Sequence, residues 1–485
     1  MKTPKTPIIN LFVLPALIAV LNLIPRGRVT AQTFTALYSF MSSSTNSSGT
    51  YTNSDGANPY GGLILSSNAL YGTAQYGGSS GYGTVFKVST DGTGFATLYS
   101  FTYPYPTNPD GGWPQAGLIL SGNNLYGTTT IGGSTGQGTV FSIKTDGKGF
   151  TNLDNFAGYP GDGGYPEAGL ILSGATLYGT ASHGGSSAAG TVFALNANGR
   201  GFTNLYSFNG GSDGANPQAR LTLSGSTLYG SASGGGSPVW GTLFALSTNG
   251  TGFTNLHSFT GGIYGTGGAI PNDLILSGTT LYGTTIRGGI SSYGTVFAVN
   301  TDGTGFTTLH SFTALISNTN SDGALPLSGL ILSGNTLYGT ASGGGSSGSG
   351  TVFALHTNGT GFKTLHSFAP SSTNSSGIYT NGGGANPSAG LILSGNTLYG
   401  TTGNGGSSGN GTVFSISFPP PQLTITPSET NVILSWPTNV AGFDYSGYTL
   451  QSAPALTGPF TNLPAATSPY TNPITGPQQF FRLSQ

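Results

Sequence analysis

The sequence predicts an all-β protein: a seven-bladed β-propeller closed by its N-terminal strand and followed by a small C-terminal β-sandwich. Three observations predict it. The tripeptide Leu-Tyr-Gly, followed by Thr or Ser, begins at Leu70, Leu125, Leu177, Leu228, Leu281, Leu337 and Leu398. A second landmark, Gly-Thr-(Val/Leu)-Phe, trails each of them in the same phase and ends at Phe86, Phe141, Phe193, Phe244, Phe297, Phe353 and Phe414. The seventh repeat stops at Phe418 after three strands, while a segment with the pattern of the missing fourth, Phe34–Phe40, stands alone ahead of the first repeat.

Residues 1–31 read as an export signal. Lys2 and Lys5 precede an apolar run from Ile8 to Ile24, and Val29-Thr30-Ala31 offers the small residues after which signal peptidase cuts. The alternative is a retained membrane anchor, which Pro15, Asn10 and Asn22 disfavour. No other stretch reaches the roughly 18 apolar residues of a membrane span, so no span is expected after the signal is removed.

Between residues 32 and 418 each repeat reads as four short strands. In the second, Leu118–Leu120 is short and apolar, as in a strand buried on both faces. Asn124 to Thr129, Thr139 to Ile143 and Phe150 to Phe156 follow, with a Gly-rich loop between the second and third strands. Asp146-Gly147 predicts a type I′ hairpin, and Asp-Gly or Asn-Gly recurs at Asp91, Asn198, Asn249, Asp302 and Asn358. Four-stranded units of roughly 40–50 residues in series suit propeller blades. The alternative, a β-solenoid, has shorter coils without tight hairpins. Phe34, Leu37 and Phe40 match Phe95, Leu98 and Phe101, so the N-terminal strand is expected to complete the seventh repeat and remove both open edges.

The repeats also carry a family resemblance. The core Gly-Leu-Ile-Leu-Ser-Gly-Asn-Thr-Leu-Tyr-Gly-Thr at Gly390–Thr401, followed by Gly-Gly-Ser and Gly-Thr-Val-Phe, resembles the Gloeobacter/Verrucomicrobia ("GloVer") repeat of exported bacterial proteins. The resemblance spans residues 34–418. It implies export and a repeat array, and it brings no activity with it. Some members resemble proteins with a C-terminal Pro-Glu-Pro anchor signal, which the ending Phe480-Phe481-Arg482-Leu483-Ser484-Gln485 lacks.

Beyond a Pro419–Pro421 linker, residues 422–485 hold five candidate strands: Leu423–Ile425, Val432–Trp436, Tyr448–Gln451, Phe460–Leu463 and Phe480–Leu483. Trp436 in a short apolar strand resembles the buried Trp of immunoglobulin-like sandwiches. The segment is similar to small fibronectin-type-III-like modules of exported proteins.

Charge is scarce. Asp, Glu, Lys and Arg make up 5% of the chain, against about a quarter in ordinary globular proteins. Without residues 1–31 the chain keeps 8 basic and 13 acidic residues, a net charge of −5. That leaves too few cations to neutralise a phosphate backbone, and no nucleic-acid partner is expected. An aromatic content of 11% argues against disorder. There is no Cys, so stability must come from packing and not from disulfides.

In a propeller, the loops leading into each first strand share one face, the top, with the loops between second and third strands. The leading loops carry Asp-Gly-x-x-Pro, with Asp55, Asp110, Asp162, Asp213 and Asp322; Gly267 and Gly383 take the Asp place in the other two. Five carboxylates there could bind cations or polar sugars. Asp before Gly also caps a tight turn with its own side chain, and repetition favours that reading. The Gly-Gly pairs of the second set, such as Gly77-Gly78 and Gly405-Gly406, precede no helix and read as turns.

Aromatics that break the repeat are the other binding candidates: Tyr60, Trp113, Tyr165, Trp240 and Tyr293, with Tyr76 and Tyr82 beside them. Their flat faces among Asn and Gly suit an uncharged partner such as a glycan; loop packing is the alternative. His257, His310 and His366 take the place of Tyr99 in the fourth strand. No carboxylate pair and no His/Cys spacing singles out a catalytic or metal site, and no cofactor is expected.

The expectation is a secreted, monomeric, non-catalytic binding protein for a glycan or another cell-surface partner. The alternatives are a polysaccharide-acting enzyme using Asp and His of the top face, or a structural surface protein. One prediction follows from the N-terminus alone: sequencing the exported protein gives Gln32 as its first residue. Met1 or Lys2 on a membrane-bound product would refute it.

Overall fold

The computed structural model describes residues 32–484, apart from 103–109, 262–264, 375–376, 429, 441, 446, 456, 464–465 and 474–477. The expected export signal and its cleavage site lie outside the described residues.

The landmarks of the repeat are explained by one contact. Leu70 and Tyr71 are both buried, because the second strand is covered on both faces. Gly72 lies opposite Phe86 on the third strand. A Cβ at Gly72 would sit 2.7 Å from the Phe86 ring, so the glycine of Leu-Tyr-Gly makes room for the phenylalanine of Gly-Thr-Val-Phe. The same relation holds at Gly127 with Phe141 and at Gly400 with Phe414.

Among the described residues these strands form seven four-stranded antiparallel sheets, each in the order first, second, third, fourth. In the second sheet the strands are Ile119–Ser121, Asn124–Thr129, Thr139–Lys144 and Thr151–Asn155, close to the expected bounds. The all-β, propeller-like arrangement of the sequence reading is therefore observed. The hairpins differ from the expectation. Asp91 and its equivalents stay out of the left-handed region, which the following glycines enter, Gly92 at φ 84° and Gly94 at φ 62°. The Gly92 N–H donates to the Ser89 carbonyl, and the Asp91 carboxylate accepts the Thr93 N–H. A side-chain cap thus does what a second positive φ does in a type I′ turn.

The seventh sheet consists of Ile392–Ser394, Thr397–Thr402, Thr412–Ser417 and the N-terminal strand Thr33–Ser39. That strand reproduces the other fourth strands down to an irregularity. Ala36 pairs with Phe414 and Tyr38 with Val413, skipping Leu37, just as Leu98 is skipped between Thr97 and Tyr99.

Successive sheets meet through matching contacts. Tyr71, Val85 and Phe101 of the first sheet pack with Leu118, Leu125 and Phe141 of the second. Tyr399, Val413 and Phe40 of the seventh pack in the same way with Leu63, Leu70 and Phe86 of the first. A fourth-strand ring also stacks on the phenylalanine that leads the next fourth strand. Tyr38 lies 3.8 Å from Phe95, Tyr99 3.9 Å from Phe150, Tyr206 4.0 Å from Phe253 and His257 3.9 Å from Phe306. His310 lies 3.8 Å from Phe362, and His366 4.0 Å from Phe34. Each stack contributes about 0.5–1.5 kcal/mol beyond its buried area. Burial pushes the His366 imidazole down to about 4, so this ring stays neutral where it covers the N-terminal strand.

Among the described residues the C-terminal region forms two three-stranded sheets and a short ladder of Asn439–Val440 with Phe443–Asp444. One joins Thr424–Ser428, Asn431–Ser435 and Tyr470–Pro473; the other joins Thr461–Asn462, Thr449–Ala453 and Phe480–Ser484. Leu434, Trp436 and Leu450 form their small buried cluster. The Pro linker does not hold this region apart from the repeats. Phe443 and Tyr445, each 1% exposed, share a cluster with Tyr338, Leu365 and Phe418 of the sixth and seventh repeats. The Tyr338 hydroxyl accepts the Asp444 N–H at 2.8 Å, and the Tyr445 hydroxyl donates to the Pro419 carbonyl at 2.5 Å.

Deleting residues 32–41 strips Thr412–Ser417 of its outer partner and removes Phe34 and Phe40. Phe40 is fully buried and Phe34 half-buried; losing a buried Phe costs about 3–5 kcal/mol, so the truncated protein should aggregate or melt at least roughly 10 °C lower. Deleting 419–485 should cost less but measurably, because it uncovers Tyr338 and Phe418. A monomer with unchanged Tm after the first deletion would contradict the role given to the N-terminal strand.

Candidate functional site

The leading loops are built by one strained residue each. The residue before proline in Asp-Gly-x-x-Pro lies in the left-handed region: Asn58, Trp113, Tyr165, Asn216, Ile270, Leu325 and Asn386, with φ between 53° and 61°. Proline disfavours a helical or turn-like conformation in the residue before it, and a left-handed non-glycine costs of order 1–3 kcal/mol. The gain is a hydrogen bond to the preceding repeat. The Trp113 N–H donates to the Tyr82 carbonyl at 2.9 Å, Tyr165 to Gln137 at 2.8 Å, Asn216 to Ala189 at 2.8 Å and Ile270 to Trp240 at 3.0 Å. Leu325 donates to Tyr293 at 2.8 Å, Asn386 to Ser349 at 2.8 Å, and Asn58 to Asn410 at 2.9 Å. Each following proline packs on the glycine of Gly-Thr-(Val/Leu)-Phe in the same neighbour, as Pro114 does on Gly83 and Pro59 on Gly411.

The aspartates serve the fold. Asp55 accepts the Tyr38 hydroxyl and the Met41 N–H, both at 2.8 Å. Asp110 accepts the Tyr99 hydroxyl at 2.9 Å and the Thr102 N–H at 3.0 Å. Asp213 accepts the Tyr206 hydroxyl at 3.0 Å and the Asn209 N–H at 2.8 Å. Asp322 pairs with His310 at 3.0 Å and accepts the Thr313 N–H. Burial pushes the Asp322 carboxyl up, but the bonds from His310 and Thr313 outweigh it and hold the group below the usual range. These four aspartates are buried. Asp162 is half-buried and takes the Ala157 N–H at 2.7 Å, because the fourth-strand ring is replaced there by Asp154. Burial, then repulsion from Asp162, lifts the Asp154 carboxyl to about 6. The carboxylates therefore tie fourth strands to leading loops.

Bridges such as Ala57 with Tyr76 and Gly164 with His183 put leading loops and Gly-Gly loops at the same end. Where the leading loops converge lies a cavity of about 440 Å³. Its wall is the residue after proline: Tyr60, Gln115, Glu167, Gln218, Leu327 and Ser388, with Ser342, Asn386 and Asn404 beside them. None of the five candidate aspartates lines it. Gln75 donates to Gln115, which donates to Thr130. Among the described residues Glu167 is the one acidic group of the wall; burial raises its carboxyl above the usual range, against a bond from Gln218.

Among the candidate aromatics, Tyr60 lines this cavity. Burial, then the nearby Tyr76, raises its hydroxyl. Tyr76 meets Trp113 edge to face at 5.9 Å, so the structure gathers Tyr60, Tyr76 and Trp113 on one side. Tyr165 meets His183 at 5.2 Å, away from that group in the repeat order. Trp240 and Tyr293 are half-buried against the clusters between sheets, where their carbonyls serve the next repeat. Sequence reasoning missed Gln115, Gln218, Ser388 and Asn404. Their signal was available: the position after proline varies while its surroundings repeat.

The model of the Gloeobacter/Verrucomicrobia repeat matches residues 28–237 and 211–414. The chain belongs to this family. No curated protein sequence matches the chain. Among solved structures, it is similar to oligogalacturonate lyase from Vibrio parahaemolyticus at 8% identity, covering 80% of this chain and 97% of that one, with a TM-score of 0.47. It is similar to a putative 6-phosphogluconolactonase from Bacteroides uniformis at 15% identity, covering 67% and 94%, with a TM-score of 0.42. Similarity to TolB from Acinetobacter baumannii is 14%, over 57% of this chain and 58% of that one, at a TM-score of 0.35.

The Asp154 substitution inside the repeat pattern is testable. With its carboxyl lifted above the ordinary 3.8, the folded state binds a proton more tightly than the unfolded one, so stability falls as pH rises from about 4 through 6. Asp154→Tyr restores a ring opposite Phe202 and a hydroxyl for Asp162. It should raise stability by about 1 kcal/mol, roughly 2 °C in Tm, with a larger gain at pH 7.5 than at pH 4.5. Equal or reversed gains in a pH series of melts would refute the assignment.

Proposed function

We propose that the chain is an exported, non-catalytic binding protein that meets an uncharged glycan-type partner where its leading loops converge. In this reading the seven sheets close into a seven-bladed propeller through the N-terminal strand, and the C-terminal region is an immunoglobulin-like module resting on it. The observation that carries the functional reading is the side-by-side placement of Tyr60, Tyr76 and Trp113 with a cavity walled mainly by amides and hydroxyls, with Glu167 as its acidic group. Rings that stack on sugar faces, beside neutral groups that exchange hydrogen bonds with hydroxyls, fit a neutral carbohydrate. The scarcity of charge supports the same class of partner.

A glycan-array screen of the mature protein, followed by titration of the hits, tests the proposal. Trp113→Ala and Tyr60→Ala should each weaken binding about tenfold, the ~1–1.5 kcal/mol of a lost stacking contact. Trp240→Ala should act on stability, since its ring packs between sheets. Raising salt from 50 to 500 mM should leave affinity unchanged, because screening acts on charge pairs. Strong salt dependence would contradict the proposal. Ligand cleavage abolished by Glu167→Gln would replace it with the polysaccharide-acting enzyme.

A further inference from the structure

Two matching hairpins stand on the loops leading into the first and seventh repeats. Residues 43–53, Ser-Ser-Thr-Asn-Ser-Ser-Gly-Thr-Tyr-Thr-Asn, recur at 371–381 with one change, Thr50 to Ile378. Both pair in the same register, Ser44 with Thr52 and Thr45 with Tyr51, then Ser372 with Thr380 and Thr373 with Tyr379. Both are anchored by the equivalent asparagine: Asn53 donates to the Met41 carbonyl at 3.1 Å, and Asn381 to the Ala369 carbonyl at 2.9 Å. The seventh and first repeats are neighbours through the cluster around Phe40, so the two hairpins stand side by side.

Between them runs a cleft of about 600 Å³. Ser43 and Tyr51 line it from one hairpin, and Ser371, Ile378 and Tyr379 from the other. Asn386, Asn404 and Asn410 line it as well. Tyr51 is 70% exposed and Tyr379 69%. Folding does not account for these rings, since neither is buried by its own hairpin. Among the described residues, no charged side chain lines the cleft. Asn386 and Asn404 also line the central cavity, and the Asn404 amide donates to Asn386 at 3.2 Å. Cleft and cavity therefore adjoin at Asn386 and Asn404, and a ligand that crossed this shared wall would follow one path through both.

We infer that this path takes an uncharged oligosaccharide chain, with the hairpin tyrosines holding the sugars beyond the central cavity. The inference rests on the glycan reading above and adds where the chain runs. Phenol rings offer flat faces to sugar C–H surfaces, and serine hydroxyls and asparagine amides match neutral hydroxyls in number and kind. An anionic chain would find no cation there. A folded protein partner would need a larger interface with an apolar centre. The length of the path, spanning two adjoining spaces, calls for a chain and not a single sugar.

The test is calorimetric titration of the mature protein with cello-, xylo-, manno- and maltohexaose, the matching disaccharides, and hexagalacturonate as the charged control. At least one neutral hexaose should bind tenfold or more tightly than its disaccharide. The Tyr51→Ala/Tyr379→Ala double variant should lose that tenfold gain while keeping its Tm and its disaccharide affinity. Trp113→Ala should weaken both ligands. A double variant that binds the hexaose like the wild type overturns the cleft and leaves the binding function standing on Trp113. Hexagalacturonate binding more tightly than every neutral chain also overturns the cleft. Absence of binding to all neutral hexaoses up to about 1 mM overturns both readings.

Discussion

The end of the molecule that carries the leading loops depends on one backbone hydrogen bond, made between successive repeats. The residue before proline turns into the left-handed region and gives its N–H to the carbonyl just ahead of Gly-Thr-(Val/Leu)-Phe in the preceding repeat. That bond seats the proline on the neighbour's glycine and aims the next residue at the central cavity. Trp113, Tyr165, Ile270 and Leu325 hold this conformation without the freedom of glycine or the local bonding of asparagine. Their strain is tolerated because an unpaired buried carbonyl and a lost proline contact would cost more. A second set of bonds runs in parallel: the Thr73 hydroxyl donates to the Ala116 carbonyl at 2.9 Å and Thr340 to Ala389 at 3.0 Å. The Thr after Leu-Tyr-Gly is thus an inter-repeat residue, which explains why only Ser replaces it.

Most of the fold was legible because each repeat solves the same packing problem. Leu-Tyr-Gly-Thr and Gly-Thr-(Val/Leu)-Phe name the two central strands, their mutual contact and their contact with the next sheet. The lone segment Phe34–Phe40 pointed to the seventh sheet, and its skipped residue Leu37 matches Leu98. The turn type was not legible. Asp-Gly is compatible with two hairpin geometries, and the carboxylate cap on Thr93 decides between them. The docking of the C-terminal region was half legible: residues 422–485 are few for a self-sufficient sandwich, but Pro419–Pro421 reads as a spacer, while Phe443 and Tyr445 supply the apolar surface that binds it back.

The site was legible in part, and the reason is the repeat itself. Residues that recur are committed to the sheets and the contacts between them, so Asp55, Asp110, Asp213 and Asp322 are bound up with tyrosine, histidine and backbone donors. Trp240 and Tyr293 break the pattern in sequence but sit against the clusters between sheets. The positions free to serve a ligand are those whose neighbours are fixed and whose own side chains are not. The residue after proline is one such position, which gives Tyr60, Gln115, Glu167 and Gln218. The hairpins carrying Tyr51 and Tyr379 are another, because they extend two loops without taking part in a seam. Their duplication was visible in the sequence, but their adjacency required the seventh and first repeats to be brought together.

That adjacency makes the N-terminal strand central to the account, since it joins the two repeats that carry the hairpins. The most direct measurement uses the absence of native cysteine. Thr33 and Ser417 are paired across the seventh sheet, and Cys at both positions provides the only thiols in the chain. Air oxidation of the T33C/S417C protein, followed by non-reducing mass spectrometry and gel filtration, reports where the strand lies. The account predicts an intramolecular disulfide in a monomer, formed in the folded protein without denaturant. Free thiols under those conditions, or disulfide-linked dimers in which the strand completes another molecule's sheet, would contradict it.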